Sequence, residues 1–319
     1  MPGRIALFLA AAFAAPAVAQ ETRGVTDHAG HRVEVPAEPE RIVSLHDWTT
    51  TVMTHELGGP LVGSIGRVDE TGAYYLRSGE ELYGLGFDDI ALASVHGQLD
   101  MERISSLDPD LIVGSAGDIA QYRAQLVQIA PTLMFDPQNG APALENYADF
   151  AGWIGRSEAF EEKLAAYRDR VRALAPQIAG DGAAPSYVAM MPNPVDGDIV
   201  LLGTFGAQTQ VLDDLGFEPA PVVSDLVPEG EQSVYLSSEI VGRMDADWIF
   251  SSYRSDRGGS PQSVLADLDR VAPGAPDFLS AIPDRFVAQS RFHVYPATFA
   301  AMDHVLDDLA ATMAGSKGG

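Results

Sequence analysis

Residues 102–115, ERISSLDPDLIVGS, and residues 239–252, EIVGRMDADWIFSS, align without a gap. Glu102 falls on Glu239, Ile104 on Val241, Leu107 on Met244, Asp108 on Asp245, Asp110 on Asp247, Ile112 on Ile249 and Ser115 on Ser252. Each copy reads as a short amphipathic helix, an Asp-rich turn and an apolar strand. A chain that builds this unit twice is expected to have two similar lobes, and two lobes enclose a cleft.

Working outward, residues 24–36 form a hairpin around a turn at 27–30. An apolar strand at 41–45 leads into the loop His46-Asp47-Trp48, a helix at 49–57 closed by Gly58-Gly59, and a second strand at 61–65. A strand–helix–strand unit favours parallel pairing through a right-handed crossover. Residues 68–99 read as a long loop with one short strand, followed by the first repeat copy, a helix near 119–129 and a strand at 132–135.

Between the copies the pattern changes. Leu144, Tyr147, Phe150 and Trp153 share one helical face, and Phe160, Leu164, Tyr167, Val171, Leu174 and Ile178 recur at steps of four and three. That spacing predicts a long helix over 157–175, stopped by Pro176. Alternation then restarts, with strands at 187–191 and 199–202 and a helix at 209–215. After the second copy come a helix at 261–268, strands at 285–289 and 292–295, and a closing helix at 297–313. The predicted fold class is α/β: two three-layer α/β lobes with mainly parallel sheets, residues 20–141 and 183–319, joined by one long helix within a helical linker at 142–182.

The chain carries a formal net charge of -25 and a pI near 4.4, spread along its 319 residues. Such a surface repels nucleic acid and anionic membrane, so neither is an expected partner. Residues 1–19 read as an export leader: Arg4, an apolar run at 5–15 and Ala17-Val18-Ala19 predict cleavage after Ala19. The chain has no cysteine, hence no disulfides and no thiol to carry a lipid. A soluble, periplasmic monomer is expected.

No HExxH, Cys cluster, EF-hand loop, GxGxxG after a strand, P-loop or GxSxG is present. Catalysis therefore has no positive sign, and neither a resident cofactor nor a metal ligand set is expected. In two-lobed α/β binders the ligand meets loops at the carboxyl ends of strands. In this scheme three such positions carry an arginine: Arg67 after the second strand, Arg254 after the repeat strand, and Arg291 before the last strand. Arginine reads carboxylate, catecholate or hydroxamate oxygens through paired, charge-assisted hydrogen bonds. Trp48, Tyr253 and Phe205 supply apolar surface beside them. Each also has a plainer reading: a surface ion pair for the arginines, a core contact for Trp48, an ordinary strand end for Tyr253. His46 and His96 have no paired ligands nearby in sequence.

PERIVSL (39–45) with the helix and LVG strand after it, LDMERISSLDPDLIVGS (99–115), GWIGRSEAFEEKLAAYRDRV (152–171), LSSEIVGRMDADWIF (236–250) and FHVYPATFAAMDHVLDDL (292–309) occur in this order. Over roughly residues 24–313 the chain resembles the iron-siderophore, haem and cobalamin periplasmic binding proteins of ABC importers. The resemblance implies two lobes on a rigid helix with the ligand between them, here a ferric siderophore, and two permease subunits as partners. It also implies that Glu102 and Glu239, one on each lobe, dock onto permease arginines. On the residues alone, the same two carboxylates equally suit the first turn of a helix. Haem remains an alternative ligand, with Tyr74, Tyr75 and His96 as axial candidates. Cobalamin would leave the arginines unexplained. A periplasmic enzyme or sensor on the same fold is the alternative of another class.

Overall fold

The computed structural model describes residues 21–178, 183–279 and 285–316, so the expected leader lies outside the described residues. Strands β1 (Thr22–Thr26) and β2 (Arg32–Pro36) form the antiparallel hairpin. The first lobe then runs β3 (Ile42–Ser44), α1 (Thr50–Glu56), β4 (Leu61–Val68), β5 (Tyr74–Tyr75), α2 (Gly79–Tyr83) and β6 (Ala91–Val95). It continues through α3 (Met101–Ser106), β7 (Leu111–Ser115), α4 (Ala116–Ile119), α5 (Arg123–Leu126) and β8 (Thr132–Phe135). β4, β3, β7 and β8 lie side by side and parallel, and the far side of β4 holds β6 parallel and β5 antiparallel. Ile42, Val43, Leu111, Ile112 and Val113 are fully buried. Helices cover both faces of the sheet, which is why these strands read as continuous apolar runs.

The stretch 68–99 is more regular than its sequence suggests. It holds two strands and a helix, where a loop with one strand was expected. β5 has two residues and α2 five, too few to show a period.

The linker is α6 (Ala143–Trp153) followed by α7 (Ser157–Ile178). At 22 residues, α7 spans about 33 Å. It runs through Pro176 instead of stopping before it. Proline forfeits one backbone bond there, and Arg172 and Pro176 are both exposed, so the freed carbonyl lies on the solvent side of the helix. Gly155 makes the bend between the two helices at φ 68°, with room for no side chain, since a Cβ would lie 2.8 Å from Ala37 O.

The second lobe comprises β9 (Ser186–Asn193), β10 (Asp198–Leu202), α8 (Gly206–Asp214), β11 (Glu218–Pro219), α9 (Pro221–Leu226) and β12 (Ser233–Ser237). Then follow a 3-10 helix (Ser238–Arg243), β13 (Trp248–Tyr253), α10 (Pro261–Val271), α11 (Ala275–Leu279), β14 (Phe286–Ser290), α12 (Arg291–Val294) and α13 (Phe299–Ser316). The sheet order is β12-β10-β9-β13-β14; β10 is antiparallel to both neighbours, and β13 is parallel to β9 and β14. Residues 292–295, expected as a strand, are mostly the short helix α12. A four-residue apolar run has no period that separates the two states. The helix of the second repeat copy is 3-10, not α.

The repeat occupies one place in both lobes. β7 lies between β3 and β8, and β13 lies between β9 and β14. The shared Asp explains part of the sequence match. Asp110 accepts hydrogen bonds from Glu40 N at 2.7 Å and Arg41 N at 2.9 Å, ahead of β3. Asp247 accepts from Ser186 N at 2.9 Å, at the start of β9. Each Asp thus fixes the first sheet strand of its lobe to the repeat strand.

Glu56, on the first lobe, caps the closing helix of the second. Its carboxylate accepts Phe299 N at 2.9 Å and Ala300 N at 2.7 Å, and Tyr147 OH lies 2.7 Å away on the linker. A carboxylate at a helix N-terminus satisfies donors that otherwise lack partners. The contact couples both lobes to the linker.

Candidate functional site

Loops at the carboxyl ends of the strands face one another between the lobes. On the first lobe, β3 runs into Asp47, whose side chain is fully buried between two arginines. Arg77 grips it through Nε at 2.9 Å and Nη2 at 2.7 Å, and Arg67 Nε lies 3.3 Å away. Burial pushes the Asp47 carboxyl up, but the Arg77 hydrogen bonds and both arginine charges outweigh it and hold the group below the usual range. Arg67 was expected beyond its strand; it sits within β4, paired with Tyr75, because β4 runs on to Val68.

Trp48 stands at the meeting of the lobes. The Arg77 guanidinium lies 4.0 Å above its ring, and Tyr295 and Phe292 of the second lobe lie 4.3 Å and 5.8 Å away between centroids. Arg77 therefore stiffens an aromatic wall through a cation–π contact. Residues Thr49, Met53, Phe135, Thr204, Gln232 and Tyr295 are among those lining a cavity of about 300 Å³ beside this wall. Gly206 enters at φ 51°, and a Cβ there would lie 1.7 Å from Tyr295 O, so no side chain fits.

On the second lobe, Arg291 opens α12 at the end of β14. Its Nε donates to Ser252 Oγ at 3.3 Å, its other end lies against Met191 Sδ, and the Phe205 ring centre is 6.0 Å away. Among the described residues it has no carboxylate at ion-pair distance. Burial, reinforced by the Arg254 charge, pushes its pKa down to about 10, so it stays cationic at neutral pH. Arg254 is occupied: Nε donates to Asp256 Oδ1 at 2.9 Å and Nη2 pairs with Oδ2. Tyr253 ends β13, half-buried, opposite Ser290.

Contacts close the front of the cleft. Tyr75 OH donates to Asp256 at 3.0 Å. Glu81 of α2 accepts from Ser255 Oγ at 2.6 Å and lies 2.8 Å from His293 Nε2. Arg77, Asp47, Glu81 and Asp256 were not singled out from sequence. Arg77 and Glu81 lie in the stretch without a period, and the three acidic residues are ordinary in so acidic a chain.

His46 and His96 approach Asp118 at 3.8 Å and 3.9 Å. Burial drives the His46 imidazole down to about 4, leaving it neutral at pH 7. Among the described residues no group of three or more His, Cys, Asp or Glu side chains is arranged to hold a metal ion. Of the haem candidates, Tyr75 is engaged by Asp256 and Tyr74 packs on Phe87 at 6.5 Å. Glu102 is exposed in the first turn of α3, and Glu239 is exposed on the 3-10 helix after β12.

Asp213 lines the cavity and accepts from Tyr187 OH at 3.0 Å. Burial pushes its carboxyl up to about 6; the Asp214 charge adds to this and the Tyr187 bond opposes it. The folded state thus holds this proton more tightly than the unfolded chain. The resulting stability is full below about pH 4 and lost as pH rises through about 6. Asp213→Asn is therefore expected to add about 1–2 kcal/mol at pH 7 and nothing near pH 4. Urea denaturation at both values checks this, and equal gains at both would contradict it.

Among the described residues no helix is long and apolar enough to cross a membrane. The chain is 26% identical over 243 residues to the Bacillus subtilis (strain 168) protein named "Probable siderophore-binding lipoprotein YfiY", covering 74% of this chain and 70% of that one. Staphylococcus aureus SirA, solved with staphyloferrin B, superposes with a TM-score of 0.72 at 20% identity, over 92% of this chain and 99% of that one. The petrobactin-binding protein YclQ of Bacillus subtilis gives 0.65 at 17% identity, over 92% and 99%. These two structures share the fold of two sheet-bearing α/β lobes. The family described as "Periplasmic binding protein" matches residues 66–272, from the end of β4 through α10, and the chain belongs to that family.

Proposed function

We propose that this protein captures a ferric-siderophore complex in the cleft between its lobes and delivers it to the two-subunit permease of an ABC importer. The observation that carries the reading is Arg291, a buried guanidinium with no carboxylate partner among the described residues of a strongly acidic chain. A buried cation without a counter-ion is costly unless a ligand supplies one. The aromatic wall of Trp48 and Tyr295 gives the ligand apolar surface alongside. The relative named "Probable siderophore-binding lipoprotein YfiY" supports the same ligand class.

The siderophore holds the iron, and the protein contacts its periphery through Arg291, Arg67, Trp48, Tyr253 and, once Asp256 moves, Arg254. No bond is made or broken. The chain acts as a monomer in the periplasm after loss of residues 1–19. Glu102 and Glu239, exposed on opposite lobes, dock onto permease arginines.

Titrating the protein lacking residues 1–19 with ferric siderophores, haem and cobalamin tests the reading, followed by tryptophan fluorescence and absorbance. Quenching by a ferric siderophore, with no Soret shift on adding haem, is expected. Tight haem binding with a shifted Soret band, and none of a ferric siderophore, would overturn it.

A further inference from the structure

Arg254 and Arg291 are both cationic, but they stand differently toward a ligand. The fork of Arg254 is filled by Asp256, two residues along the same loop. The loop is built to hold that pair: Arg257 N and Gly259 N both donate to Arg254 O, at 3.2 Å and 2.9 Å, across the 3-10 turn Ser255–Arg257. The Asp256 side chain is only 13% exposed. Its second oxygen also accepts from Tyr75 OH of the opposite lobe at 3.0 Å. Arg291 has no carboxylate at ion-pair distance among the described residues; the Asp256 charge favours its cation from further away, against the Arg254 and Arg257 charges.

We propose that Asp256 is a resident competitor that sits where a ligand anion would sit on Arg254, so that the cleft selects ligands carrying at least two anionic oxygen groups. This rests on the reading of Arg291 as the open anion receptor. A ligand with one anionic group is satisfied at Arg291 and leaves Asp256 in place. A ligand with two is anchored by the first, which raises the effective concentration of the second beside Arg254. The second group then displaces Asp256, because it offers the same paired hydrogen bonds that Asp256 gives up. Displacement also frees Tyr75, so filling the site loosens one bond across the front of the cleft. Asp256 is thus a specificity-determining residue: it raises the threshold against single carboxylates that abound outside a cell.

The test uses acetate as the single carboxylate and citrate as the polycarboxylate, both without iron. Arginine Nε resonances are followed by NMR and assigned through Arg254→Lys and Arg291→Lys. In the unaltered protein acetate is expected to move the Arg291 signal alone, and citrate to move both. In Asp256→Asn acetate should move both, and the preference for citrate over acetate should shrink about tenfold. Tyr75→Phe, which removes one hydrogen bond to Asp256 and the Tyr75 contact with Arg254 but keeps both guanidinium groups, should shift the preference the same way by a smaller factor, and carries the test if Asp256→Asn does not fold. A response of Arg254 to acetate in the unaltered protein, or an unchanged preference in either folded variant, would overturn the proposal. Since no iron is used, a failure of ferric-siderophore binding would sink the proposed function and leave this result readable.

Discussion

Arg291→Met is expected to weaken binding of an anionic ferric siderophore about 100-fold while raising the melting temperature. Both signs follow from one observation. The guanidinium is buried and no described carboxylate pairs with it directly, so the unliganded fold carries a charge that Asp256 compensates only from a distance. Methionine fills similar volume without charge, and exchanging an unpaired buried cation for such a residue stabilises by about 1–3 kcal/mol. The bound complex loses a charge-assisted, two-point contact and leaves a ligand anion facing an apolar side chain, which costs about 3 kcal/mol. Arg291→Lys keeps the charge and loses the fork, so a loss of about tenfold is expected. Calorimetric titration and thermal melting on the same samples check both signs. A variant that melts lower and binds equally well would assign Arg291 to structure instead.

The second large effect is expected on import and not on capture. Glu102→Ala with Glu239→Ala should reduce siderophore-dependent iron uptake at least tenfold, leaving the affinity for free ligand within about twofold. Both residues are exposed, on equivalent connections of opposite lobes. Their other reading, as helix-dipole partners, predicts a small loss of stability and normal uptake. At α3 the cap is already supplied by Asp100, which accepts Arg103 N at 2.9 Å. At Glu239 the 3-10 helix has six residues and little dipole to stabilise. A stability change above about 0.5 kcal/mol is therefore not expected from either substitution. Normal uptake by the double variant would assign both glutamates to the local helix.

The two lobes were legible because the repeat places the same helix, turn and strand into the same slot of each sheet. Asp110 and Asp247 even perform the same backbone fixing. The linker was legible because α7 is long enough for its apolar face to recur six times. What did not show in the sequence is local or two-sided. Tyr75, Arg77 and Glu81 lie where strand and helix are too short to be periodic. The short helix at Arg291 has four residues, and its apolar pair Phe292 and Val294 alternates as a strand would. Arg254 was expected after the repeat strand and Arg291 before a last strand; Arg254 follows β13 but Arg291 opens a helix, and the sequence did not show that one is occupied and the other open. That difference depends on the fold of a two-residue turn to Asp256 and on what lies across the cleft.

Charge recognition is the centre of the account, and one measurement reaches it directly. The unaltered protein is titrated by calorimetry with a polyanionic ferric carboxylate siderophore and with a neutral ferric hydroxamate of similar size, in the same buffer and at the same ionic strength. The polyanion is expected to bind at least about 100-fold more tightly, and raising the salt should narrow the gap. Equal affinities, or a preference for the neutral complex, would contradict the assignment of the arginine cleft as an anion receptor.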